Sequence, residues 1–524
     1  DTRCRVRALM GVDSVTDIVG VIEVRRRHKG FILAGERYAE LDDIGKLEFS
    51  LYFDVVVTFI AIDIGAGKEL EVHDVTRSME RALKMIDLFG ITSVRFEQTD
   101  YYGIPHCKVI PVKHFRDKAI HGQNFCLGYL SFNPHGQPIG GTGYGEEIHY
   151  EDAVCFPDLA SFQVLPWCKK TARVLVEGVY EGKVVEGYPR VVARRQLERL
   201  EEMGYSLFSA HEFEFYMVDE KTQEPIDNST NANATSRLFK IRDFTEDVLE
   251  GLPQAGVDLE FIGSESATGQ FEITYRPSFG IRAADNAHTY KMGIKEIAQK
   301  HGYIASFMSK PWPDKSGSSA HFCHSLWDVT GEIPLLYDPS QPLQLSKLGQ
   351  YWVAGLHAHA CALGVLMGPT VNCLKRYKPF SFAPSNATWG MDNRTCAIRV
   401  RVQGAKGTYI ENRMGASACN PYISLAATVA AGIDGIVRRL PLPERVVGDA
   451  YKDEDIPPLT PKLPNNMAEA LDCLLNDEVM VSSLGQDFIK CFVAGKRNEL
   501  ELERAAIERG ELHKWEHDYF FEVM

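Results

Sequence analysis

The chain lacks an excess of positive charge. Lys and Arg together number 57 against 71 Asp and Glu, a formal net charge of −14. Phosphate-backbone binding rewards the opposite balance, so nucleic acid is not an expected partner. The short basic run at residues 25–29 reads as solvated surface. No apolar stretch reaches the ~20 residues that a membrane span needs. The nearest, residues 49–65, includes Asp54 and Asp63 and reads as buried strands. No CxxC pair occurs among the twelve cysteines, which argues against a disulfide framework and for reduced thiols. No secretory signal is read, and a cytoplasmic location is expected. A P-loop and the kinase motif set are both missing, so any nucleotide must be held in another way. Internal repeats and low-complexity segments are absent.

What is present suits a large core. The 524 residues are 45% hydrophobic and 24% charged, ordinary globular usage for two to four units. Residues 1–75 carry no legible motif. Residues 74–90 have helical apolar spacing, with Asp74 as a cap and Gly90 as a stop. The period then changes: residues 91–97, 108–112 and 172–176 read as strands of a small sheet-rich unit ending near residue 186. Helices follow at 190–203 and 283–301, an apolar one at 423–437, and a charged helical tail at 467–515. Strands and helices mix without a βαβ rhythm, so the fold class is α+β.

Four segments carry chemistry. In His211-Glu212-Phe213-Glu214-Phe215 a strand's period of two puts both glutamates on one face, ~7 Å apart, and both phenylalanines on the other. A cation would relieve the repulsion; a sheet with one wet face explains the pattern equally. Glu265-Ser266-Ala267-Thr268-Gly269-Gln270-Phe271-Glu272 turns at Gly269 and enters a second strand. In Ser316-Gly317-Ser318-Ser319-Ala320-His321-Phe322-Cys323-His324 a small-residue loop delivers His321 to a strand. Zinc is disfavoured there, because adjacent strand side chains diverge; one imidazole beside carboxylates suits Mg²⁺ or Mn²⁺ better. The fourth segment runs from Asp392 through Arg394 and Arg399 to Glu411 and Arg413, with Arg376 upstream. Guanidinium forks suit carboxylates and phosphates. Internal salt bridges explain any one arginine; the whole set fits divalent metal, a polyphosphate and an anionic substrate.

HEFEF, ESATGQFE, SGSSAH, NRTCAIR, IENR and ACNPYISLAATVAAGIDGI, in this order, resemble the glutamine synthetase superfamily from about residue 75 to the end. SVRFEQTDYYGIPHCKVIPV, LPWCKKTARV, ADNAHTYKMGIKEIAQKHGYIASF and HSLWDV resemble its lengsin branch. The resemblance implies an N-terminal β-grasp domain at 76–186, a catalytic α+β domain at 187–524, and a homo-oligomer of stacked rings, a dodecamer, with sites between neighbours. It implies two divalent ions, one on Glu214, Glu265 and Glu272, the other on Glu212, His321 and Glu411. Gly317, Arg376 and Arg413 would meet glutamate; Arg394 and Arg399 would meet the phosphates of ATP. The implied reaction joins glutamate to ammonia or a small amine through γ-glutamyl phosphate. Phe382 stands where the family carries a flap glutamate, Ser316 where it carries asparagine, and Tyr409 where it carries arginine. The acidic residue lent to a neighbour's ammonium site is sought at 133–151, with Glu146, Glu147 and Glu151 as candidates. The resemblance also leaves open a non-catalytic ring that binds cytoskeletal partners.

Overall fold

An amphipathic helix, Val72–Phe89, opens the described part of the computed structural model, residues 72–524. The strands expected within 49–65 and the basic run at 25–29 lie outside the described residues. Met79, Ala82 and Ile86 of the helix are buried, and Gly90 leaves it at φ +57°, a conformation that glycine adopts without strain.

Six strands follow: β1 (Ser93–Thr99), β2 (Pro105–Pro111), β3 (Gln123–Cys126), β4 (Asp152–Val164), β5 (Thr171–Tyr180) and β6 (Lys183–Val184). Their order is β2-β1-β5-β4-β3, with β6 on β5. The central pair, β1 and β5, runs parallel between antiparallel neighbours, a β-grasp arrangement. β1, β2 and β5 match the strands expected from sequence. β4 escapes such a reading because Pro157 and the register shift between Asp158 and Gln163 interrupt its pattern.

The second sheet has nine strands: β7 (Tyr205–Asp219), β8 (Leu259–Ser264), β9 (Gln270–Tyr275), β10 (Ser278–Phe279), β11 (Tyr303–Ser306), β12 (Ala320–Asp328), β13 (Trp389–Met391), β14 (Ile398–Arg401) and β15 (Tyr409–Asn412). The main order is β13-β14-β15-β12-β7-β9-β8, with β10 and β11 also on β7. The molecule is thus α+β. Phe213, Phe215, Phe271 and Ile273 on one face of the sheet pack with Tyr290, Ile294 and Ile297 of helix Ile281–Lys300. Burying this aromatic face fixes the register, because a one-residue slip would turn the glutamates into the core.

Helix Pro421–Arg438 is buried all round to Gly435, while Val437 is exposed, contrary to an apolar run that suggested burial to its end. The Asn420 side chain caps it, accepting from the Tyr422 and Ile423 amides, and donates to the Asp100 carbonyl at 2.8 Å. That bond ties the helix to the end of β1. Helix Lys347–Ala358 crosses so closely that a Cβ on Gly435 would lie 2.1 Å from the Tyr351 carbonyl. Arg190 joins the two sheets, reaching Asp158 and Glu177 of the first and Asp285 beneath the second, each within 3.0 Å. The tail is four helices, Met467–Leu475, Glu478–Leu484, Gln486–Glu508 and Leu512–Phe520. Among the described residues no helix is long and apolar enough to cross a membrane.

Candidate active site

Cross-strand register assembles the site. Directly opposed residues of antiparallel strands share a face, with Cβ atoms ~5 Å apart. Glu214 on β7 faces Glu272 on β9, and Glu212 faces His321 on β12. Two residues along β12, Cys323 faces Glu411 on β15, which in turn faces Arg399 on β14. One row of chemistry therefore crosses five strands from Glu272 to Arg399. Segments almost 200 residues apart in the chain meet only through this sheet.

Among the described residues, one trio brings its ligand atoms within 4.8 Å of one another: Glu212, His321 and Glu411. His321 Nδ1 stands 3.5 Å from a carboxylate oxygen of each glutamate. Burial pushes the imidazole down to about 3, so its ring is neutral and keeps a lone pair for a ligand. Glu411 is 2% exposed and accepts from Arg399 at 2.8 Å and from Arg413.

Glu214, Glu265 and Glu272 form a looser cluster. Ser319 donates to Glu214 from its amide at 2.8 Å and its hydroxyl at 2.7 Å, drawing that carboxylate toward the small-residue loop. Burial, and then the charge of Glu214, Glu212 and Glu265, push Glu272 up to about 9. Burial and Glu214 also raise Glu265, and burial raises Glu212. Crowded half-buried carboxylates with so little countercharge fit hard cations, and oxygen donors plus one imidazole suit Mg²⁺ or Mn²⁺.

The arginines divide. Arg413 is buried, bonds Glu411, and donates to the Phe382 carbonyl at 3.0 Å. Arg399 bridges Glu411 and Asp392. Arg376 is buried and donates to the carbonyls of Arg413, Met414 and Gly415 at 3.0, 3.3 and 2.6 Å, leaving its Nε without a partner. Gly317 lies against it, where a Cβ would meet Arg376 Cγ at 2.6 Å, so this position admits no side chain unless the arginine moves. Arg394 is exposed on the turn between β13 and β14, at the rim. His324 is not part of the site: it points to the other face and accepts from the Trp352 indole at 2.9 Å. Phe380 and Phe382 are 73% and 69% exposed, both at positive φ, in the loop that Arg413 holds. Glu146 and Glu147 lie exposed on a turn, and Glu151 accepts from the Tyr180 hydroxyl at 2.7 Å.

Sequence reading missed three contributors. Ser319 and Gln270 orient Glu214 and the Gly317 loop, the latter through bonds of 3.1 Å to the Gly317 carbonyl and the Ser318 hydroxyl. Asp392 holds Arg399. Each lies inside a motif already singled out, but a short polar side chain gives no periodic signal of its own.

Residues 186–516 match the family model described as glutamine synthetase, catalytic domain. The chain is 37% identical to lengsin of Rattus norvegicus over 429 residues, 79% of this chain and 74% of that one. It is 30% identical to glutamate–isopropylamine ligase of a Pseudomonas species over 443 residues, 82% of this chain and 96% of the ligase. A solved GmaS/ADP complex shares the fold with TM-score 0.71 and 26% identity, over 83% of this chain and 98% of that one.

Proposed function

Because the chain belongs to the glutamine synthetase family, we propose that it is an ATP-dependent ligase joining the γ-carboxylate of glutamate to ammonia or a small amine. The observation that carries this reading is the row of carboxylates, imidazole and guanidiniums gathered on one sheet face by cross-strand pairing. A scaffold without turnover has no use for glutamates crowded at the cost of raised proton affinity. On this reading residues 76–186 are the β-grasp domain and 187–524 the catalytic domain, and stacked homo-oligomeric rings, a dodecamer, complete each site from a neighbour.

Glu214, Glu265 and Glu272 would hold one divalent cation and Glu212, His321 and Glu411 a second; bound there, Mg²⁺ or Mn²⁺ polarises phosphoryl oxygens. Gly317, Arg376 and Arg413 receive glutamate, and Arg394 and Arg399 the phosphates of ATP. A γ-carboxylate oxygen attacks the ATP γ-phosphorus, ADP departs, and γ-glutamyl phosphate forms. Arg394 and Arg399 offset charge as it develops on the transferring group. The amine nitrogen then attacks the acyl carbon, phosphate leaves, and the nitrogen gives up a proton. Activation is needed because a carboxylate is a poor acyl donor.

Phe382 offers an aromatic face where a flap carboxylate would bind ammonium. Such a face attracts a cation weakly and an alkyl group well. An alkylamine is therefore the preferred nucleophile, in keeping with the isopropylamine in the name of the Pseudomonas relative. The test is a mass-detected assay with ATP, Mg²⁺ or Mn²⁺, glutamate and a panel of amines. A γ-glutamyl amide formed together with phosphate is expected, faster with alkylamines than with ammonia. Oligomeric protein that binds cations yet releases no phosphate with any amine would overturn the ligase and favour a scaffold.

A further inference from the structure

The row across the sheet continues one step beyond Arg399. Residues two apart on a strand share a face, so Arg401 of β14 lies beside Arg399, and its cross-strand partner on β15 is Tyr409. The Tyr409 hydroxyl accepts from Arg401 at 3.0 Å, and the guanidinium carbon lies 5.6 Å from the ring centroid. Arg401 Nε stands 3.3 Å from the Asp392 carboxylate, but off line for a hydrogen bond, so that buried donor has no partner. The same carboxylate accepts from Arg399. One side chain, 63% exposed, thus answers two guanidiniums that are 7% and 28% exposed, with Arg394 two residues away along the turn.

That is an arrangement with too little anion. Asp392 is the one carboxylate paired with Arg401, shares Arg399 with Glu411, lies two residues from the exposed Arg394, stands at the solvent edge where its own interaction is screened, and leaves a buried donor unmet. A polyphosphate has the charge and the number of acceptor oxygens to satisfy all three. We propose that Arg401 is a third polyphosphate-binding guanidinium, held in place by Tyr409, and that Asp392 is an internal stand-in whose carboxylate the incoming phosphates displace. Tyr409 thereby acquires a purpose: a phenol there can orient a guanidinium borne by the neighbouring strand. The inference rests on the ligase reading only in taking ATP as the anion that enters.

The test is equilibrium binding of Mg·ADP and of inorganic tripolyphosphate to the full chain, without glutamate or amine. Arg401→Gln is expected to weaken both by about tenfold, the worth of one charge-assisted contact, and in a separate ligation assay the KM for glutamate should change by less than about twofold. Arg401→Lys should recover part of the loss, and Tyr409→Phe should cost less than Arg401→Gln. Asp392→Asn, at an exposed position where folding is not at stake, should tighten both ligands severalfold because their competitor is gone. Wild-type affinity in Arg401→Gln, or unchanged or weaker binding in Asp392→Asn, would overturn the inference, as would a wild-type chain that binds neither ligand. Failure of the ligase reading looks different. The wild type would then form no γ-glutamyl amide, while the opposed effects of Arg401→Gln and Asp392→Asn on tripolyphosphate binding would persist.

Discussion

Glu411→Ala is expected to destabilise the protein by about 3–5 kcal/mol, the cost of breaking a buried ion pair from one side, and to lower ligation on the order of 10³-fold. The carboxylate is 2% exposed, bonds Arg399 and Arg413, and stands 3.5 Å from His321. Without it two buried guanidiniums face each other across a site that has lost one cation ligand. Glu411→Gln keeps an acceptor and the packing but removes the charge. It should recover part of the stability and little of the activity, which separates the structural from the chemical role. Denaturant unfolding and phosphate release read the two effects. A Glu411→Ala protein within about 1 kcal/mol of wild type would show that Asp392 beside Arg399, and the Phe382 carbonyl beside Arg413, suffice for the two arginines.

The second large effect is a dependence of stability on pH that divalent cations reverse. Without cations the native state holds a proton on Glu272 up to about 9, and burial with like charge raises Glu265 as well. An unfolded glutamate lets go near ~4.3. Between those values the native state binds more protons than the unfolded one, so stability falls as pH rises. It is fully present below the unfolded value and lost on passing through the folded one. Cations compete with those protons, so Mn²⁺ at one hundred times its dissociation constant should add about 2.7 kcal/mol per site. The gain should grow from pH 6 to 8. Thermal melts across pH 5–9, in chelator and in Mn²⁺, check this; parallel curves would contradict it.

The strand of β7 was legible because its alternation is long and its two faces differ in kind, phenylalanine against glutamate. Helices Val72–Phe89, Pro189–Glu202 and Ile281–Lys300 were legible from apolar spacing to within about two residues at either end. β13, β14 and β15 have three or four residues each, too short for a period to show. The pairing of Glu411 with Arg399 therefore had no local signature. The same is true of Arg401, whose significance depends on Tyr409 lying across from it in a strand that only the fold supplies. Residue identities thus pointed to the carboxylates and arginines, but not to which of them neutralise one another. Arg376 illustrates the gap: nothing in the sequence shows that one terminal nitrogen of its guanidinium also ties down the carbonyls of Arg413, Met414 and Gly415.

The most direct measurement is a Mn²⁺ titration followed by electron paramagnetic resonance, on the wild type and on His321→Ala and Glu272→Ala. If the glutamates and the imidazole surround a pair of cations, wild type binds two ions per chain and each variant retains one. A wild type that binds none, or variants that bind as it does, would mean that the carboxylates gathered on this sheet do not form the centre of a ligase.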